Sequence, residues 1–274
     1  MSVTIVSGGT FGLGAGIVVE LARRGHRVVA FGLSRAQVSS TAEGSDALQR
    51  ELQAQGLAAD VLEADVSCAG DVQRVVAHTL ARHGRIDGLV NNAAIGPLGT
   101  VLDTDEALFD RVLAVNLKGS YLMSRAVLPS MIAQGGGSIV NIGSGAGWGK
   151  PGMAAYAASK GGIVALSAAM AYDHFHEHVR VNVAIPGGGG IVTGMSVGRF
   201  GGDVERFVSR PAHGTVAGRP ASGRDLAQAV AFLLSDEAAA ISGTVIDVGC
   251  FSHQGGPLQA RPPSVPTPHP QTQS

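Results

Sequence analysis

The chain has 274 residues, of which 45% are hydrophobic and 15% charged, which is ample apolar material for a large core and too little charge for a disordered protein. A formal net charge of -1 argues against a nucleic-acid partner, and the two cysteines, Cys68 and Cys250, offer neither a disulfide framework nor a metal-ligand spacing. The longest helical apolar stretch, residues 161–172, falls short of the about 20 residues of a membrane span, and residues 1–6 are too short for a secretory core, so no membrane partner and a cytoplasmic setting are expected.

Taken in chain order, short β-rich runs alternate with longer helical ones. Residues 3–7 predict a buried strand, 13–24 a helix closed by Gly25, 27–31 a strand, 45–55 a helix and 59–64 a strand. Residues 72–83 predict a helix, 88–91 a strand, 107–134 a long segment helical in places, and 138–142 a strand. A helix over 155–178, a strand over 180–185, a helix over 225–234 and a strand over 243–248 complete the series. Strands separated by helices imply right-handed crossovers. The expected fold is therefore α/β: a single-domain, doubly wound parallel sheet of about seven strands with helices on both faces. That domain is expected over residues 1–256. The tail 257–274, rich in Pro, Gln, Ser and Thr, has too few apolar residues to fold alone and is expected to be disordered.

Directly after the first strand stands Ser7-Gly8-Gly9-Thr10-Phe11-Gly12-Leu13-Gly14. A dinucleotide loop needs one glycine for a tight turn, one for close approach to a pyrophosphate and one for helix–strand packing; the helix that follows aims its amides at the phosphates. Glycine spacing alone is weak, because many loops are glycine-rich; the position between strand and helix strengthens it. At the end of the second strand, Phe31-Gly32-Leu33-Ser34-Arg35 carries no carboxylate to bond a ribose diol. Ser34 and Arg35 suit a 2′-phosphate, which favours NADP(H) over NAD(H); the alternative is that Arg35 is a solvated loop residue.

Tyr156-Ala157-Ala158-Ser159-Lys160 sets a phenol and an ammonium one helical turn apart. An ordinary tyrosine holds its proton to pH ~10, and a neighbouring cation lowers that value, so Tyr156 suits proton exchange with a carbonyl or alcohol oxygen. The pair alone is common on ordinary helices. Ser144, just beyond a strand end, and Asn116, in a helical segment where a kink would offer a carbonyl to a water, add to it.

This ordered set resembles the short-chain dehydrogenase/reductase family, in its bacterial carbonyl and 3-oxoacyl reductase branch, over residues 3–256. Gly8-x-x-x-Gly12-x-Gly14 looks like its cofactor loop, with Thr10, Phe11 and Leu13 inside it. Asn91-Asn92-Ala93-Ala94 is similar to its Asn-Asn-Ala-Gly segment, with Ala94 for the last glycine. The resemblance implies that Asp65 and Val66 meet the adenine. It also implies that Asn116, Ser144, Tyr156 and Lys160 form the catalytic tetrad, that Asn92, Ala93 and Ala94 line the cofactor, and that Pro186, Gly187 and Thr193 hold the nicotinamide amide. It further implies a homotetramer or homodimer. Three departures stand out. The Ser144-to-Tyr156 stretch is one residue shorter than usual, Gly187 to Gly190 lengthen the loop before Thr193, and the last strand ends in Val248-Gly249-Cys250-Phe251.

Residues 193–219 read as a lid, with Arg199, Arg206 and Arg210 suiting either an anionic substrate or plain solvation. Trp148, Met153 and Met195 are expected to line an apolar substrate pocket or to serve as packing. His174, His176 and His178 read as a basic helix end, and no metal is expected. The expected activity is hydride transfer between NADP(H) and a carbonyl or secondary alcohol, with Tyr156 as general acid and base. The alternatives are an NAD-linked alcohol or cyclic-diol dehydrogenase and, from a different class, a cofactor-binding scaffold or redox sensor.

Overall fold

The computed structural model describes residues 1–33, 44–187, 191, 193–198, 201–209 and 215–251. Ser34, Arg35, Arg199, Arg210 and the 257–274 tail lie outside the described residues. Seven strands, β1 (Val3–Ser7), β2 (Arg27–Gly32), β3 (Asp60–Glu63), β4 (Gly88–Asn91), β5 (Gly137–Ile142), β6 (Val179–Ile185) and β7 (Val245–Asp247), form one sheet. They pair in parallel in the order β3-β2-β1-β4-β5-β6-β7.

All five residues of β1 are buried, including Thr4 and Ser7, as expected for a strand covered on both faces. Helices α1 (Gly12–Arg23), α2 (Gly44–Ala54) and α9 (Gly223–Leu234) pack one face through Ile17, Leu21, Leu48, Leu226 and Val230. Helices α3 (Ala69–His83), α5 (Gly119–Ala133) and α6 (Ala154–Asp173) pack the other through Val75, Met123, Val127 and Met170. Fully buried Phe31, Leu89 and Ile139 each contribute roughly 1.5–3 kcal/mol of transfer free energy. The order reverses between β1 and β4, so the chain leaves these neighbours in opposite directions and opens a crevice above their C-terminal ends.

Two elements depart from the sequence reading. The 107–134 segment divides into α4 (Glu106–Leu113), a π-helical turn (Ala114–Lys118) and α5. The Asp105 carboxylate caps α4 by accepting from Leu108 N at 2.7 Å. The helix expected to reach residue 178 ends at Asp173: a 3-10 turn (Phe175–Glu177) follows, and His178 takes a left-handed φ of 57° that turns the chain into β6. His174, His176 and His178 therefore do not share a helix. Among the described residues no group of three or more His, Cys, Asp or Glu side chains is placed to hold a metal, and no helix is long and apolar enough to cross a membrane. Between β6 and α9, the described parts of the expected lid include two short helices, α7 (Gly194–Gly198) and α8 (Val204–Val208).

Candidate active site

The crevice between β1 and β4 is built by close backbone approach. Gly8 has a φ of 60°, and a Cβ there would stand 2.8 Å from Ala93 Cα; a Cβ on Gly14 would stand 2.0 Å from the Gly8 carbonyl oxygen. Asn92 Nδ2 donates to the carbonyls of Ser7 and Gly8 at 3.2 and 2.9 Å. The Ser7 hydroxyl accepts from the amides of Asn92 and Ala93 at 3.1 and 3.2 Å. The glycine loop and the Asn92-Ala93-Ala94 segment are thus tied into one wall.

Helix α1 starts at Gly12 with Phe11 as an extended N-cap that supplies no side-chain cap, and its first turn holds no acid. Its first amides are left for an anion. Thr10 Oγ1 is buried without a hydrogen-bond partner and lies against the end of β2, where a Cβ on Gly32 would meet it at 2.5 Å. A glycine cradle that side chains would fill, an uncapped helix start and an orphaned hydroxyl fit a dinucleotide phosphate. At the β3–α3 corner, Asp65 Oδ1 accepts from Ser67 N and Oγ at 2.8 and 2.7 Å, and Val66 is buried against Gly119.

The second half of the site rises from β5 and α6. Tyr156 and Lys160 lie in the first two turns of α6, both buried, with Lys160 Nζ 5.8 Å from the Tyr156 ring centroid. Lys160 Nζ donates to the Ile142 carbonyl at 2.7 Å, at the end of β5. Burial pulls the Lys160 ammonium down to about 8, because the charged form loses its hydration. Asn116 sits in the π turn that the sequence anticipated as a kink. Its Nδ2 donates to Ile95 O and Ser159 Oγ, each at 2.9 Å, while its Oδ1 accepts from Ile95 N at 2.8 Å. The Asn116 carbonyl accepts from Ser120 Oγ at 2.9 Å.

Ser144 directly follows Gly143 beyond β5 and caps a 3-10 turn (Gly145–Trp148), its hydroxyl accepting from Ala146 N at 3.2 Å. The chain then returns over Gly149 and Gly152, both left-handed, to α6. Ala146, Met153 and Tyr156 form one buried apolar cluster, and Met195 of α7 packs against it. Trp148 stands at the surface, 40% exposed. Two of the three expected substrate-lining residues therefore meet beside the tyrosine.

At the end of β6, Pro186 and Gly187 are partly buried, and a Cβ on Gly187 would stand 2.2 Å from Ala221 Cβ. Thr193 lies beside the glycine loop, 3.8 Å from where a Cβ on Gly12 would stand, and its Oγ1 accepts from Ser196 N at 3.0 Å. A cleft there is lined by Gly12, Leu13, Ile191, Pro220, Ala221 and Ser222. Ser222 and Asp225 form a capping box on α9, and the Arg219 guanidinium holds the Asp225 carboxyl well below its ordinary value. Arg206 is exposed on α8.

Sequence reasoning missed a buried polar chain beneath this site. Asn91 Nδ2 donates to Asn141 Oδ1 at 2.8 Å across paired β4 and β5, and Asn141 Nδ2 donates to Ser167 Oγ at 2.8 Å. It also missed Ser159, whose Oγ donates to the Tyr156 carbonyl at 2.7 Å. One signal was available: asparagine is depleted in strands, yet Asn141 interrupts an apolar one.

Comparisons with known proteins agree with this geometry. A family model described as enoyl-(acyl carrier protein) reductase matches residues 8–250. The chain is 39% identical to 2-(S)-hydroxypropyl-CoM dehydrogenase 3 of Xanthobacter autotrophicus, over 90% of this chain and 94% of that protein. It is 33% identical to a 3-oxoacyl-[acyl-carrier-protein] reductase of Thermotoga maritima, over 90% and 95% of the two chains. The crystal structure of levodione reductase superposes with a TM-score of 0.82 at 30% identity, over 92% of this chain and 98% of that one. A parallel sheet reversing over a glycine cradle, together with these matches, makes the chain a member of the short-chain dehydrogenase/reductase family, an oxidoreductase of alcohol and carbonyl groups.

Proposed function

We propose that this protein transfers a hydride between NADP(H) and a carbonyl or secondary alcohol, with Tyr156 as the group that gives and takes the substrate proton. The observation that carries the reading is the pairing of Tyr156 with a buried Lys160 whose ammonium sits 5.8 Å from the centroid of the phenol ring, beside the β1–β4 crevice. A bound nicotinamide dinucleotide supplies or accepts the hydride. Gly8, Thr10, Phe11, Gly12 and Leu13 hold its pyrophosphate. Asp65 and Val66 meet its adenine. Asn92, Ala93, Ala94, Pro186, Gly187 and Thr193 line the nicotinamide half.

In reduction, the Tyr156 hydroxyl donates its proton to the substrate oxygen; in oxidation the phenolate takes it back. The Lys160 ammonium favours the phenolate by placing positive charge beside it. Ser144 holds the substrate oxygen, and Asn116 anchors the wall behind. Ala146, Met153 and Met195 exclude water from the reacting centre, with Trp148 at the rim. The preference for NADP(H) is supported by the absence of an acid after β2 and by Ser34 and Arg35 in the sequence. A homotetramer or homodimer and a cytoplasmic setting complete the reading.

Titrating the protein with NADPH and NADH and following the single tryptophan, Trp148, tests it. At least about tenfold tighter binding of NADPH, roughly 1.4 kcal/mol, is expected. Tighter NADH binding removes the phosphate role of Ser34 and Arg35. Binding of neither removes the proposed hydride transfer with a nicotinamide dinucleotide. Similarity to a hydroxypropyl-CoM dehydrogenase favours the oxidative direction of this reaction, with a secondary alcohol as substrate.

A further inference from the structure

Ser159 is fully buried in α6, in the turn that carries Tyr156 and directly before Lys160. A serine is not the choice that stabilises a helix interior, since alanine forms helix better and a serine bonded back to the preceding turn tends to bend it. Its hydroxyl both donates and accepts here. It donates to the Tyr156 carbonyl at 2.7 Å and accepts from Asn116 Nδ2 at 2.9 Å.

Asn116 in turn clamps the backbone of Ile95 through both atoms of its amide, at 2.8 and 2.9 Å. One hydrogen-bonded path therefore runs from the loop after Asn92-Ala93-Ala94, through the π turn, to the carbonyl of the tyrosine itself. A second serine on α6 shows the same arrangement further along: Ser167 Oγ donates to Ile163 O at 2.6 Å and accepts from Asn141 Nδ2 at 2.8 Å. Only the Ser159 path ends on the tyrosine turn.

We propose that Ser159 is a positioning residue for Tyr156: its hydroxyl locks the first turn of α6 to the π turn and so sets the phenol against Lys160. This rests on Tyr156 being the proton carrier. Removing the hydroxyl leaves an Asn116 N–H buried without a partner and frees the Tyr156 turn to shift; the phenol then moves relative to the ammonium that favours its ionised form.

The chain holds three tyrosines, so the ionisation of one can be isolated. The full-length protein, saturated with oxidised nicotinamide dinucleotide, is titrated with alkali while phenolate absorbance is followed. The difference between wild type and Tyr156→Phe gives the Tyr156 midpoint, expected well below the ~10 of a free tyrosine. In Ser159→Ala that midpoint is expected to rise by at least about half a pH unit, roughly threefold in ionisation constant, and Ser159→Thr, which keeps the hydroxyl, is expected to restore it. Should Ser159→Ala not fold, Ser159→Cys, of similar size and a far weaker donor, is read in its place. A folded variant with a lowered melting temperature but an unmoved midpoint makes Ser159 merely structural and overturns the proposal. An ordinary midpoint in the wild type overturns instead the proton-carrier reading on which it rests.

Discussion

Gly147 and Gly161 touch backbone to backbone: a Cβ on Gly161 would stand 2.9 Å from the Gly147 carbonyl oxygen, and one on Gly147 would stand 3.0 Å from Gly161 N. The 3-10 turn after Ser144 thus lies directly on α6 where Lys160 emerges. This contact seats the segment between Ser144 and Tyr156 on the tyrosine helix. Gly161→Ala is expected to improve helix propensity by up to ~1 kcal/mol yet push the turn off the helix. The predicted result is a fall in kcat of about tenfold or more with dinucleotide affinity unchanged, read by steady-state kinetics beside cofactor titration.

Lys160 carries a stability cost in the cofactor-free protein. Its ammonium titrates near 8 in the folded chain, lowered by burial from 10.5. Between these values the unfolded chain binds more protons than the folded one, so stability rises with pH across that window and the cost is fully present below it. Lys160→Met is therefore expected to raise the melting temperature at pH 7 while abolishing turnover. Calorimetry across pH should show the gain shrinking as pH climbs above 8; a gain independent of pH would refute the buried-charge account.

Two glycines separated by one residue, Gly14 and Gly16, should respond differently. A Cβ on Gly14 would collide with the Gly8 carbonyl at 2.0 Å, whereas one on Gly16 meets nothing within 4 Å. Gly14→Ala is expected to weaken dinucleotide binding by at least about tenfold, and Gly16→Ala to leave binding alone and stabilise α1 by roughly 0.5–1 kcal/mol. Fluorescence titration and thermal melts of both proteins give the comparison.

Cys250 and Phe251 hold φ values of 58° and 59°, left-handed backbone that costs a non-glycine residue roughly 1–2 kcal/mol. They follow Gly249, whose Cα would lie 3.3 Å from a Cβ on Gly187. Cys250→Gly is expected to stabilise the protein by about 1 kcal/mol, less the extra entropy glycine brings to the unfolded chain. Chemical denaturation measures it, and a destabilised variant would show that the cysteine side chain contributes more than its backbone costs.

The sequence by itself determined the alternation of strands and helices, the glycine loop between β1 and α1, and the one-turn spacing of Tyr156 and Lys160. These are legible because each depends on neighbours in the chain: periodicity, a glycine where a turn needs one, and residues i and i+4 on one helix face. Even the kink at Asn116 showed as an asparagine out of place in a helical run. The end of α6 at Asp173 was not legible, because apolar and polar residues continue at helical spacing while the pairing of β6 decides where the chain must turn. Only the tertiary structure decided that Lys160 rests on Ile142, that Asn116 reaches Ser159, that Asn91 meets Asn141 across two strands, and that Gly147 lies on Gly161. Each of these joins residues at least 14 positions apart, and a buried hydrogen bond or a backbone contact between distant segments leaves no periodic trace in either segment alone.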